Sequence, residues 1–268
     1  MLRLPAVSGA FYPAEPHALT ALIRKCVSPV EKIAKSHVRA CLVPHAGYVY
    51  SGAVAGAVFA RIVFPKRIII LGVRHFPYGE EAAILSQGVW HTPLGDAPVD
   101  HELAAKVSHS CELLLEDAVA HESEHSLEVQ IPFLQLLDPG FTFVPIALGT
   151  LDYDAFVTVG NALGKILGEE NDVLLLTTTD LNHYENQATT IRKDSLAIEK
   201  ILQLDPAGLY EICHKERISM CGLGPTVALL SALQQVGVSK VELVKHATSA
   251  DYSGDTRKTV GYAGFLFF

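Results

Sequence analysis

Short apolar runs alternate along this chain with longer stretches in which apolar residues recur at helical spacing. The runs Ala40–Val43, Arg67–Leu71 (RIIIL), Phe141–Leu148, Asp172–Thr179 (DVLLLTTT), Lys240–His246 and Val260–Phe268 read as strands. Between them, His17–Val27, Ser51–Ala60, Asp100–Val107, Tyr153–Leu167, Gln187–Leu204, Pro206–His214 and Pro225–Val236 read as helices. Ser51 is the expected N-cap of the second of these. Leu127–Leu137 is also helical in spacing, with Pro132 either kinking it or sitting in its first turn. Pro5–Pro13 is an irregular arm, Glu81–Leu85 and Val89–Trp90 a strand or hairpin pair broken at Gln87-Gly88, and His91–Pro98 a loop. Strands alternating with helices predict an α/β fold: one domain over residues 1–268, with a central, mainly parallel sheet covered by helices on both faces.

Three of these strands deliver a histidine just past their last apolar residue. Val43 leads into Pro44-His45, Leu71 into Gly72-Val73-Arg74-His75, and Thr179 into Asp180-Leu181-Asn182-His183. The carboxyl edge of an open α/β sheet is where ligands bind, so the three imidazoles are expected to share a site. Neutral imidazole is a common metal ligand. Two His with a carboxylate suit Fe(II), whereas His with Cys suits zinc or copper. A third donor would come from the polar segment His246–Asp255, which carries Asp251 and Asp255, although turns closed by those aspartates explain the segment equally well.

The densest polar cluster is His121–Glu128. His125 and Glu128 stand on one side of a helix if the segment is helical, and could exchange protons in the same cleft; alternatively, Ser126 and the acids simply cap the helix that follows. Tyr48, Tyr252 and Cys221 are candidate substrate contacts, with a buried, inert thiol as the plainer reading of Cys221.

Composition narrows the function classes. A formal net charge of -8 and no basic stripe argue against a nucleic-acid partner. No apolar run is long enough to span a bilayer, and the start MLRLPAVSGAFYP lacks the pattern of a secretion signal. Five cysteines without a CxxC indicate neither a disulfide scaffold nor a zinc ribbon, so a reduced, cytoplasmic protein is expected. GxSxG, Walker A and GxGxxG signatures are absent.

The blocks GAFYP, VPHAGYVYSG, LGVRHF, HTPLGD, EHSLEVQIPFLQ, TTDLNHY, MCGLGP and TSADYSGD…VGYAG, in that order, resemble the Memo family, which in prokaryotes is protein B of the AmmeMemoRadiSam system. That resemblance implies a fold similar to the class III extradiol dioxygenases. It further implies His45 and His75 as metal ligands and His183 as a neighbouring acid/base. The third ligand position is expected within TSADYSGD, where animal members carry Cys and this chain has Tyr252 beside Asp251; Asp251 is the favoured donor. Arg74 and Phe76 stand where relatives often have Ser and His. The expected activity is a non-haem, Fe(II)-dependent oxidoreductase of a small molecule, with Zn or Cu as other metals and His183, His125 and Glu128 as proton carriers. A metal- or peptide-binding module acting with radical-SAM partners, and a metal-free acid/base enzyme, are the competing readings.

Overall fold

The computed structural model describes residues 1–28 and 33–268. In chain order the elements are β1 (Leu2–Arg3), α1 (Pro16–Val27), β2 (Ala40–Val43), α2 (Tyr48–Phe59), β3 (Arg67–Val73), β4 (Ala82–Ile84), β5 (Val89–Thr92), β6 (Gly95–Pro98), α3 (His101–Ser110), β7 (Leu115–Glu116) and α4 (Val119–Glu122). A short turn of tighter helix at Glu128–Gln130 leads into α5 (Ile131–Leu137), followed by β8 (Thr142–Leu148), α6 (Tyr153–Glu169), β9 (Val173–Thr178), β10 (His183–Glu185), α7 (Gln187–Leu202), α8 (Pro206–Lys215), α9 (Leu223–Gln235), β11 (Val241–Thr248), α10 (Ala250–Ser253) and β12 (Thr259–Phe267).

The main sheet runs β10-β12-β2-β9-β3-β8-β4-β7, with β11 paired to β12. Its centre, β2-β9-β3-β8, is parallel; β12 joins β2, and β4 joins β8, in antiparallel fashion. Because both faces are covered, the central strands are apolar throughout rather than alternating. Ile69 and Leu71 of β3 face a core built with α3, α6, α7, α8 and α9, while Ile68 and Ile70 face one built with α1, α2 and α5. The α6–α9 approach is close enough that a Cβ on Gly160 would lie 2.4 Å from the Ala228 carbonyl oxygen.

Two local expectations are corrected. Helix α2 begins at Tyr48, a turn before the expected cap at Ser51. The free Tyr48 amide donates to the Phe11 carbonyl (2.8 Å) of the N-terminal arm, so the arm supplies a partner that Ser51 was expected to supply. Ser51 lies inside the helix and donates its hydroxyl back to Ala46 O at 2.8 Å. Secondly, β4 and β5 do not pair with each other. β4 joins the main sheet, whereas β5 forms a hairpin with β6 and a parallel pair with β1 in a separate three-stranded sheet. The stretch 91–98 is therefore largely strand, turning at Pro93-Leu94 and re-entering strand at Gly95, whose φ of 114° suits glycine. Pro132 takes the first turn of α5, where its missing N–H costs nothing.

Candidate metal centre

His45 sits just beyond β2, only 2% exposed. Its amide donates to Asp180 Oδ1 (2.9 Å), and its Nδ1 meets Thr178 Oγ1 at 2.9 Å. Gln130 Nε2 also reaches that hydroxyl (3.1 Å) while donating to the Pro44 and Ser126 carbonyls, which fixes the direction of the amide. With Nδ1 engaged, Nε2 is the nitrogen that faces the cleft, and it lies 3.2 Å from Cys221 Sγ. The thiol arrives from the turn immediately before α9, held by the Asp180 amide at 3.3 Å.

His75 follows β3 by two residues. Its ring centroid is 5.2 Å from that of His45, in an edge-on arrangement. One nitrogen each from His45 and His75 and Cys221 Sγ lie within 4.8 Å of one another. Bond lengths of about 2.0–2.3 Å at tetrahedral angles put ligand atoms roughly 3.3–3.8 Å apart, so modest side-chain adjustment closes this set around an ion. His125 completes the floor: its ring stacks on His75 at 4.4 Å, meets His45 edge-on at 5.5 Å and packs against Phe11 at 4.8 Å.

The electrostatics suit a cation. Burial, then the neighbouring His75, pushes His45 well below the usual imidazole range. Burial and His45 hold His125 down to about 4. Burial raises Cys221 to about 12, and the Asp180 carboxylate adds to this. Asp180 is itself raised by burial, against hydrogen bonds from the His45 and Ala46 amides. Neutral imidazoles beside a thiol that resists ionisation would become a thiolate site only with an added positive charge, such as a metal ion would supply.

His183 lies on β10, with its amide donating to Ser219 Oγ and Nδ1–H to the Ser219 carbonyl, both at 2.8 Å. A carbonyl can only accept, so in the neutral ring Nε2 is left bare. Asn182 steadies Ser219 by accepting from its amide and its hydroxyl.

Several expected site residues stand elsewhere. Asp251 does not join the histidines: its carboxylate accepts from Thr248 N (2.6 Å) and Oγ1 (3.3 Å), capping the end of β11. The turn-closing alternative explains it, because a carboxylate so near a strand end satisfies local amides first. Tyr252, 38% exposed, and Asp255, paired to Arg257, are likewise outside the group, and the residue that stands with His45 and His75 is Cys221 rather than any residue of TSADYSGD. Glu128 turns away from His125. It is fully buried against Arg3 (2.7 Å), Tyr12 OH (2.6 Å) and the Ala6 and Val7 amides. The segment is not regular helix at His125, so the three-residue spacing does not put the two side chains on one face. Tyr48 is core: its hydroxyl donates to Val129 O and its ring packs on Phe133. Asp180, Thr178 and Glu124 were not singled out from the sequence. TTTD at the end of an apolar strand was the available signal for the first two.

Comparisons with known proteins agree with this arrangement at the level of family and fold. The family model described as Memo-like protein matches residues 3–266. A MEMO1 family protein of Caldivirga maquilingensis is 38% identical, with 99% of each chain covered. One from Thermotoga neapolitana is 41% identical, with 98% of each covered. The crystal structure of an uncharacterized Escherichia coli K12 protein superposes with a TM-score of 0.58 at 11% identity, covering 85% of this chain and 99% of that one, a likeness of fold alone. The chain belongs to the Memo family.

Proposed function

We propose that this protein is a metal-dependent oxidoreductase acting on a small molecule, with His45, His75 and Cys221 holding one ion. The observation that carries the reading is the convergence of two strand-end imidazoles on a thiol 3.2 Å from His45 Nε2, all three donors lying within 4.8 Å. A thiolate in place of a carboxylate favours zinc or copper more than the two-His, one-carboxylate set expected for Fe(II). When bound, the ion would polarise a substrate and, if redox-active, exchange electrons with it. The protein's own groups would do the rest. Asp180 and Thr178 hold His45 from behind, His125 and Phe11 wall one side, and His183 offers a bare Nε2 as a proton acceptor at the rim.

The test is anaerobic titration with Co(II), Zn(II) and Cu(I) of wild type, Cys221→Ser and Asp251→Ala, followed by oxygen uptake across a panel of catechols and other small reductants. Tight binding lost in Cys221→Ser and kept in Asp251→Ala is expected, with a sulfur-to-Co(II) charge-transfer band in wild type. Absence of binding in wild type would sink the metal reading. Metal binding with no turnover of any reductant would point to a binding module. A metal-free Cys–His nucleophile is the second reading, favoured by the short thiol–imidazole contact and opposed by the Asp180 charge; rapid alkylation of Cys221 in metal-free protein would support it.

A further inference from the structure

We infer that Glu124 is a positioning residue that locks His75 into the one tautomer able to present Nε2 to a metal, an assignment that rests on the metal-centre reading above. Glu124 comes from the loop after α4 and is 1% exposed. Three N–H groups converge on its two oxygens. The His75 amide donates to Oε2 at 2.6 Å, His75 Nδ1 approaches Oε1 at 2.9 Å, and the Ser126 amide donates to Oε1 at 2.7 Å. An ionised carboxylate only accepts, so the proton of a neutral His75 must sit on Nδ1 and Nε2 is left bare. A backbone N–H on each oxygen, from His75 and from Ser126, favours the ionised, accept-only carboxylate.

The lock is needed at this position. The His75 side chain is 27% exposed, unlike the sealed His45, so burial alone does not fix its ring. The loop carrying Glu124 is in turn stapled to the end of β3. Ser126 Oγ accepts from Val73 N (3.1 Å) and donates to Val73 O (3.0 Å), and Gly72 permits the approach, since a Cβ there would lie 2.7 Å from Ser126 Oγ. His75, Glu124 and His125 also form a compact donor group. Its carboxylate already accepts three N–H bonds, however, which fits a brace for His75 better than a second ion site.

A carboxamide cannot replace this carboxylate. With one acceptor oxygen and one NH2, the side chain introduced by Glu124→Gln would set N–H against N–H, either at the His75 amide or at Nδ1 and the Ser126 amide. In the second arrangement the clash at Nδ1 is relieved by moving the His75 proton to Nε2, the ligand nitrogen, while that with the Ser126 amide stays. The experiment is nitrogen-15 NMR of histidine-labelled, metal-free protein above the usual imidazole titration range, together with Co(II) titration, on wild type, Glu124→Gln and Ser126→Ala. Expected are a protonated Nδ1 and bare Nε2 at His75 in wild type, and transfer or mixing of the proton in Glu124→Gln with roughly 10–100-fold weaker Co(II) binding. Ser126→Ala, which keeps its backbone amide on Glu124, should lose stability without changing the tautomer. A bare Nδ1 at His75 in wild type would overturn the inference even if Glu124→Gln failed to fold, and so would an unchanged tautomer and affinity in that variant. Wild type with the expected tautomer but no Co(II) binding would instead overturn the metal-centre reading.

Discussion

Replacing Glu128 with Ala tests whether this carboxylate is an anchor for the N-terminal arm. The side chain and that of Arg3 are 1% and 2% exposed and meet at 2.7 Å. The same two oxygens accept from Ala6 N, Val7 N and Tyr12 OH. Removing one member of such a buried pair leaves the other charge uncompensated and costs about 3–5 kcal/mol. The Ala6 and Val7 amides are only partly buried and can recover water, so they add little. Against a typical total stability of about 5–15 kcal/mol, this is a large fraction. At about 2 °C per kcal/mol for a chain of this size, the melting midpoint should fall by roughly 6–10 °C. Urea unfolding should show a lower midpoint at similar slope, and protease should cut faster between β1 and α1, because the arm has lost its tie. Tyr12→Phe removes one hydrogen bond and should cost only about 1–2 kcal/mol. A loss below about 1 kcal/mol in Glu128→Ala, with unchanged proteolysis and impaired Co(II) binding, would refute the anchor and return Glu128 to the cleft.

Asp251→Ala should cost about 1 kcal/mol, from the lost bond to the Thr248 amide, and leave Co(II) affinity within error; calorimetric titration checks both. Gly160→Ala should destabilise by about 1–3 kcal/mol in urea despite the better helix former, because its Cβ would meet Ala228 O at 2.4 Å and Ser231 Cβ at 2.7 Å. His121 and His125 are both held down to about 4 by burial. Each is neutral in the folded protein and takes a proton near 6.5 when unfolded, so stability is full above that pH and falls as pH drops towards 4, by up to about 3 kcal/mol per group. Unfolding measured at stepped pH should show this loss, to which the likewise depressed His45 adds, and His121→Asn should remove only the share of one group.

The sequence by itself determined the sheet and the pair of metal-binding candidates at its edge. Runs such as RIIIL and DVLLLTTT can be satisfied only as strands covered on both faces, and the residue after such a strand must emerge at the carboxyl edge. Local sequence puts His45 and His75 each at a strand's carboxyl end, and they are neighbours because β2 and β3 both flank β9 in parallel. What lies opposite a strand end is not a local property. Cys221 reaches His45 from a turn 176 residues away, and nothing in the spacing of MCGLGP distinguishes it from a buried thiol. Asp251 lies outside the His45–His75–Cys221 group for the converse reason: a short acidic side chain just past a strand finds its own backbone amides before any distant partner. Glu124 and Glu128 sit four positions apart in one polar segment, yet one braces His75 and the other anchors Arg3. That division depends on irregular backbone packed between β3 and the N-terminal arm, where helical periodicity does not apply, and only the tertiary structure decided it.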